Sequence, residues 1–171
     1  MASSKSIASL LFMVLWGTSV VCPNMRARAS YQGASATVPG QLSDDSLRQM
    51  LDGMGFEPKA ISRGFLVTVK REKFTCYIQI VLSENKTKLG MNSNLGVINE
   101  PDSVTAAQWK ALLVANRDVD PSFFYFDPNL KKLFLHRSID NRGLTAAYMR
   151  NQIDTFVENL ISTADLWKFT Q

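Results

Sequence analysis

Between Thr145 and Phe169, apolar residues recur every three or four positions: Met149, Ile153, Phe156, Val157, Leu160, Ile161, Ala164 and Trp167. On a helix they fall in one stripe, and Arg150, Asn151, Asp154, Glu158, Asn159 and Asp165 fall mostly on the wet side. The start is marked as well, because Thr145 suits the cap position and Leu144 and Met149 can close over the first turn as a hydrophobic staple. A long helix with one greasy stripe needs a broad apolar surface to lie on. The chain upstream reads as the sheet that supplies it.

From Gly64 the period is two. Phe65, Val67 and Val69 alternate with Leu66, Thr68 and Lys70, and beyond Arg71-Glu72-Lys73 a second run puts Phe74, Cys76, Ile78, Ile80 and Leu82 on one face and Thr75, Tyr77, Gln79 and Val81 on the other. One buried and one mixed face is the pattern of an antiparallel sheet covered on one side. Glu84-Asn85-Lys86 reads as a turn, and Thr87 to Asn94 as a third strand with Leu89 and Met91 inward. Asn85-Lys86-Thr87 has the form of a glycosylation sequon, which matters only in a eukaryotic secretory pathway. Phe123 to Phe126, the turn Asp127-Pro128-Asn129 and Lys132 to Arg137 form a hairpin.

Two more helices complete the order. Ser43 caps the first, with Asp44 and Asp45 in its first turn, Leu42 and Leu47 as a staple, a stripe of Leu47, Met50, Leu51 and Met54, and Gly55 as the stop. Pro101, Asp102 and Ser103 precede the second, roughly Val104 to Asn116, with Trp109, Leu112 and Leu113 on its buried side. The expectation is therefore an α+β fold in the order α-β-β-β-α-β-β-α: a five-stranded antiparallel sheet with a long C-terminal helix packed on it.

The first residues read differently. Lys5 begins a weakly positive start, Ile7 to Val21 is an apolar run, and Ala27-Arg28-Ala29 offers the small-x-small pattern of a signal peptidase site. Residues 1–29 are expected to be a signal peptide cleaved after Ala29, residues 30–41 a flexible linker of small and turn-forming residues, and residues 42–171 the domain. A lipid anchor on Cys22 is the minor alternative, since the residues before it fit a lipobox poorly. Cleavage removes three of the 19 basic residues and none of the 15 acidic ones, so the formal charge of +4 falls to near +1. An electrostatic case for nucleic acid falls with it, and the mature chain is expected to be periplasmic or extracellular with no integral membrane segment. Cys76 is left as the single cysteine, and no intramolecular disulfide can form.

The second half carries a resemblance. Leu112-Leu113-Val114-Ala115-Asn116, Pro121, the aromatic strand Phe123 to Phe126, Leu133-Phe134-Leu135, Asp140-Asn141-Arg142-Gly143-Leu144-Thr145 and Leu166-Trp167 together resemble the type III secretion chaperone-like superfamily, which includes the Tir chaperone (CesT) proteins and their YbjN-type relatives. The resemblance spans roughly Leu42 to Phe169. It implies a small, non-enzymatic, commonly dimeric protein that binds an extended segment of a partner. The near-neutral mature charge and the export signal set this chain apart from the secretion chaperones, which are typically acidic and cytosolic.

The residues offer little to an enzyme. His136 is the only histidine, so no histidine cluster exists for a metal, and Cys76 has flanks, Thr75 and Tyr77, that supply no cation to activate it. There is no nucleophile elbow, phosphate-cradling glycine loop or calcium loop, and no cofactor is expected. Lys70, Arg71, Lys73, Lys86 and Lys88 gather at strand ends, where they discourage strand-to-strand aggregation. Candidate partner-binding residues are Tyr77, Phe124 and Phe126, as aromatic surface not spent in the core, with Phe65 a further candidate for such surface. To these are added Arg117, Asn141 and Arg142, at element junctions where polar groups either tie loops to helix ends or face a partner. The functional expectation is an exported, chaperone-like, protein-binding module that works as a homodimer. A small-ligand or lipid carrier and a structural envelope protein are the alternatives.

Overall fold

The computed structural model describes residues 40–170, all within one compact unit, Ser35–Gln171. The signal peptide, Cys22 and the linker as far as residue 39 lie outside the described residues. Gly40 and Gln41, the end of that linker, are described, and the carbonyl of Gly40 accepts a hydrogen bond from the Gly143 amide.

Helix α1 (Asp44–Gly53) opens on a capping box. Ser43 Oγ accepts from the Ser46 amide at 3.2 Å, and Ser46 Oγ accepts from the Ser43 amide at 2.7 Å. Its stripe is the expected one, with Leu47 and Leu51 fully buried. The sheet follows: β1 (Lys59–Ala60), β2 (Phe65–Arg71), β3 (Phe74–Leu82), β4 (Lys88–Val97), β5 (Ser122–Asp127) and β6 (Lys132–Asp140), in spatial order β1-β2-β3-β4-β6-β5. Every pairing is antiparallel.

The sheet thus has six strands where five were expected. The extra one, β1, has two exposed residues and no apolar alternation, so its sequence carries no strand pattern. It exists because a turn, closed by the Ile61 amide on the Gly64 carbonyl at 3.1 Å, folds Lys59 and Ala60 back onto Leu66 and Phe65.

Helix α3 (Ala146–Ser162) supplies the cover. Thr145 caps it, accepting from the Tyr148 amide at 3.2 Å, and Met149, Ile153, Phe156, Val157 and Leu160 join Val67, Ile78, Ile80, Met91 and Leu135 of the sheet in one core. The expected stripe runs too far, however. The helix ends at Ser162, and Ala164–Leu166 and Lys168–Thr170 are separate 3₁₀ turns, so Ala164 and Trp167 leave the helix face. This tail docks on β4: Thr170 Oγ1 donates to the Leu95 carbonyl at 2.8 Å. Gly96 (φ +149°) makes room for it, because a Cβ there would stand 2.3 Å from Thr170 Oγ1.

Helix α2 (Ala106–Asp118) starts two residues later than expected. Thr105 and Gln108 form its capping box, and Pro101–Ser103 is a 3₁₀ turn of its own. The helix packs on β5 and on the 3₁₀ turn Ala164–Leu166.

The sheet's core face carries one charged side chain beside the small buried Ser93 and Ser122. Arg137 of β6 is 5% exposed, and its Nε and Nη1 are buried without a hydrogen-bond partner. Burial pulls its pKa below the usual arginine value, against the opposing pull of Tyr148 and Asp120. Unpaired buried donors cost about 1–3 kcal/mol each. Arg137→Met, which keeps the stem and removes the donors, is expected to raise stability by about 1–3 kcal/mol in urea unfolding; a loss of stability would mean that those donors are satisfied.

Candidate protein-binding groove

β5 is an edge strand, paired with β6 on one side only. On its other side stands α2, joined to it by one side chain. Asn116 Oδ1 accepts from the Phe124 amide at 2.6 Å, and Asn116 Nδ2 donates to the Phe124 carbonyl at 3.4 Å. These are the two bonds a neighbouring strand would make, so a helix side chain occupies the strand edge. By the alternation of an antiparallel ladder, Phe126 turns its own amide and carbonyl the same way.

Beside this edge lies an apolar hollow of about 310 Å³, walled by Trp109, Leu112 and Leu113 of α2 and by Phe124, Phe126 and Leu133 of the β5–β6 hairpin. Trp109 forms its end wall, held edge-on against Phe126 at 5.7 Å and against Phe169 of the tail at 6.4 Å. Leu113 is 70% exposed at the rim, which corrects the expectation that it is buried. The reason is angular: Leu112 and Ala115 point at β5 and the tail, and Leu113 lies about 100° round the helix from Leu112.

The hollow brings together two of the six candidate residues, Phe124 and Phe126, but Phe124 is not free surface as expected: it is buried in the core, and Phe126 is partly buried against it. Arg117 is on the same helix, at its exposed end, paired with Asp118 at 2.9 Å. Tyr77 is 58% exposed on the opposite face of the sheet. Asn141 is completely buried, and its amide is spent on the backbone: Nδ2 donates to the carbonyls of Leu42 (2.9 Å) and Lys86 (2.8 Å), and Oδ1 accepts from the Leu42 amide (3.2 Å). Arg142 borders a separate polar hollow with Gln41, Thr87 and Asp140. The sequence did not single out Asn116 or Leu133. The available signal was the run Leu112-Leu113-Val114-Ala115, which is apolar over a wider arc than one packing face can use.

Phe65, a further candidate for surface aromatic, is buried in the core. The open sheet face has other rings instead. Tyr125 stacks on Phe134 at 5.2 Å, and His136 meets Phe123 at 5.0 Å edge-on. His136 Nδ1 lies 2.7 Å from Asn92 Oδ1, within hydrogen-bonding distance. Burial lowers its pKa. Cys76 is buried, and desolvation raises its thiol pKa over the opposing pull of Arg71, the environment of an unreactive thiol. Among the described residues no three metal-binding side chains gather, and no helix is long and apolar enough to cross a membrane.

No family model matches the sequence, and no curated protein sequence matches it. Solved structures do. YbjN from E. coli superposes with a TM-score of 0.55 at 20% identity over 73% of this chain and 90% of its own. A chain of the ExsC–ExsE complex gives 0.52 at 15% identity over 72% and 92%. A chain of the heterodimeric ExoU–SpcU complex, from the type III secretion system of Pseudomonas aeruginosa, gives 0.50 at 15% identity over 71% and 98%.

The bond between Asn116 and Phe124 is testable. Asn116→Ala leaves the amide and carbonyl of Phe124 without their partner and is expected to cost about 1–3 kcal/mol in denaturant unfolding; no change would mean that α2 is held by its apolar contacts alone. In its antiparallel sheet, its covering C-terminal helix and its similarity to solved structures, the chain has the fold shared by YbjN and by chains of the ExsC–ExsE and ExoU–SpcU complexes.

Proposed function

We propose that the chain is a non-enzymatic, chaperone-like binding protein that takes an extended segment of another protein in the groove between α2 and β5. The observation that carries this reading is the apolar hollow beside the outward backbone of Phe126. A peptide offers both an alkyl or aromatic side chain for the one and an amide for the other. Two of the similar structures are complexes of two different proteins, ExsC with ExsE and ExoU with SpcU, which supports a protein partner. Export by way of residues 1–29 and assembly of two copies belong to the same proposal: the chain works in the cell envelope or outside the cell, as a homodimer. A lipid carrier is the second reading, favoured by the nearly unbroken apolar lining of the hollow.

The test is affinity capture from the envelope fraction of the source organism, with mild crosslinking and mass spectrometry of both proteins and extractable lipids. Leu113→Glu puts a charge at the rim of the groove without touching the core. It is expected to keep the melting temperature within about 2 °C and to lower recovery of the dominant protein partner at least tenfold. Undiminished recovery with Leu113→Glu, or recovery of lipid alone, would overturn the peptide reading.

A further inference from the structure

Among the described residues, no helix lies on the face of the sheet turned away from α3. Two neighbouring cross-strand rows run over the middle of that face, from β5 through β6, β4 and β3 to β2. One is Tyr125, Phe134, Asn94, Tyr77 and Thr68, and the other is Phe123, His136, Asn92, Gln79 and Leu66. The register that pairs Gln79 with Asn92 sets Tyr77 beside Asn94, and the Ser93 hydroxyl ties the two strands there by donating to the Tyr77 carbonyl at 3.0 Å. Neither row holds a carboxylate, a lysine or an arginine. Charge stands at the two ends: Lys70 and the cross-strand neighbours Asp127 and Lys132 at one, the ion pair of Lys88 with Asp140 at the other. Burial pushes the pKa of His136 down, so the middle of the face is uncharged at neutral pH.

Three amides in these rows are each anchored at one end. Asn92 Oδ1 lies 2.7 Å from His136 Nδ1, Asn94 Oδ1 accepts from the Gly96 amide at 3.2 Å, and Gln79 Nε2 donates to the Arg63 carbonyl at 3.0 Å. The outward ends are two amide donors and one amide acceptor, held in fixed orientation. Rings stand among them. Tyr77 is 58% exposed and Phe123 42%, and Tyr125 is propped by Phe134, stacked on it at 5.2 Å.

The charge pattern selects the occupant. A single-stranded nucleic acid would need lysine or arginine beside the rings to meet its phosphates, and the rows have none. An apolar protein face would bury the outward amide ends without partners. A neutral sugar chain carries no charge, packs C–H faces on aromatic rings, and has hydroxyls that both donate and accept. Five strands give the rows a length of four strand spacings, about 19 Å, which is room for several sugar rings.

We propose that the open face of the sheet binds a neutral oligosaccharide, its rings stacked on Tyr77, Phe123 and Tyr125 and its hydroxyls bonded to Asn92, Asn94 and Gln79. Neither α2 nor Leu113 takes part, so this site stands apart from the peptide groove.

Nitrogen-15 NMR of the full chain tests this, with cellotetraose and chitotetraose, the β-1,4-linked tetramers of glucose and of N-acetylglucosamine, as probes and a six-nucleotide oligouridylate as the charged competitor. At least one tetramer is expected to bind with a dissociation constant of about 0.1–1 mM and to shift the side-chain amides of Gln79, Asn92 and Asn94. Tyr77→Ala removes the most exposed ring and is expected to raise that constant at least about fivefold. Asn94→Asp keeps the acceptor for the Gly96 amide and removes the outward donor, for an expected rise of about threefold to tenfold. Both variants are expected to melt within about 2 °C of the parent, since both side chains are exposed. Leu113→Glu is expected to leave sugar binding within about twofold of the parent while losing the captured protein, which scores the two sites separately. No shift from either tetramer at about 10 mM, shifts confined to α2 and Leu133, or parental affinity in either variant would overturn the proposal. Tighter binding of the oligouridylate than of both tetramers would overturn it as well.

Discussion

An antiparallel sheet whose strands alternate apolar and polar residues can be covered on one face only, and that face must be sealed from water. In this chain the seal is the stripe of α3. Met149, Ile153 and Phe156 are fully buried, as are Val67, Ile78, Ile80, Met91 and Leu135 on the strands below. Burying each such side chain contributes about 1.5–3 kcal/mol, so this one contact holds a large share of the favourable free energy of folding. One helix cannot reach across six strands. α1 brings Leu47 and Leu51 to the core, and α2 brings Leu112 and Ala115.

What distinguishes α2 is how little of it the fold consumes. It stands at the rim of the sheet, touching β5 on one side and the C-terminal tail on the other. Asn116 turns this peripheral contact into a defined one by bonding both backbone groups of Phe124, which also withholds that stretch of edge from unwanted strand pairing. The rest of the helix is too apolar for its exposure. Leu113 overlooks the hollow, and Val114, about 100° further round the helix, is half-exposed. Surplus apolar surface on an anchored helix is the physical basis of the proposed groove.

The parts of this fold that were legible in the sequence are those where a single period governs. The α3 stripe as far as Leu160, the α1 cap and stripe, the paired runs of β2 and β3 and the Phe123–Arg137 hairpin were all visible, because burial on one face imposes a repeat of 3.6 or 2. Elements held by backbone geometry alone were not. β1 forms because a turn folds two exposed residues onto a neighbour, and the 3₁₀ turns after Ser162 continue an apolar pattern without continuing the helix. The site was half legible. Phe124 and Phe126 could be named because they are aromatic residues in a short strand. Leu113 was assigned to the core because adjacent leucines on a helix do not say which one faces inward. Asn141 was a candidate because it sits at a junction, and its burial turns it into a tie between Leu42, Lys86 and the end of β6. Asn116 is invisible until the fold sets it opposite a strand 8 residues away in sequence.

The central claim is that a partner segment lies between α2 and the edge of β5. Hydrogen exchange measured by mass spectrometry on the chain alone and on its captured complex tests that claim directly. If the claim holds, added protection falls on the peptides covering Trp109–Asn116 and Phe124–Phe126, and those covering the open edge of β2 from Val67 to Arg71 stay as they were. Protection confined to the β2 edge, or to the open sheet face around Tyr77 and Asn92, would contradict it.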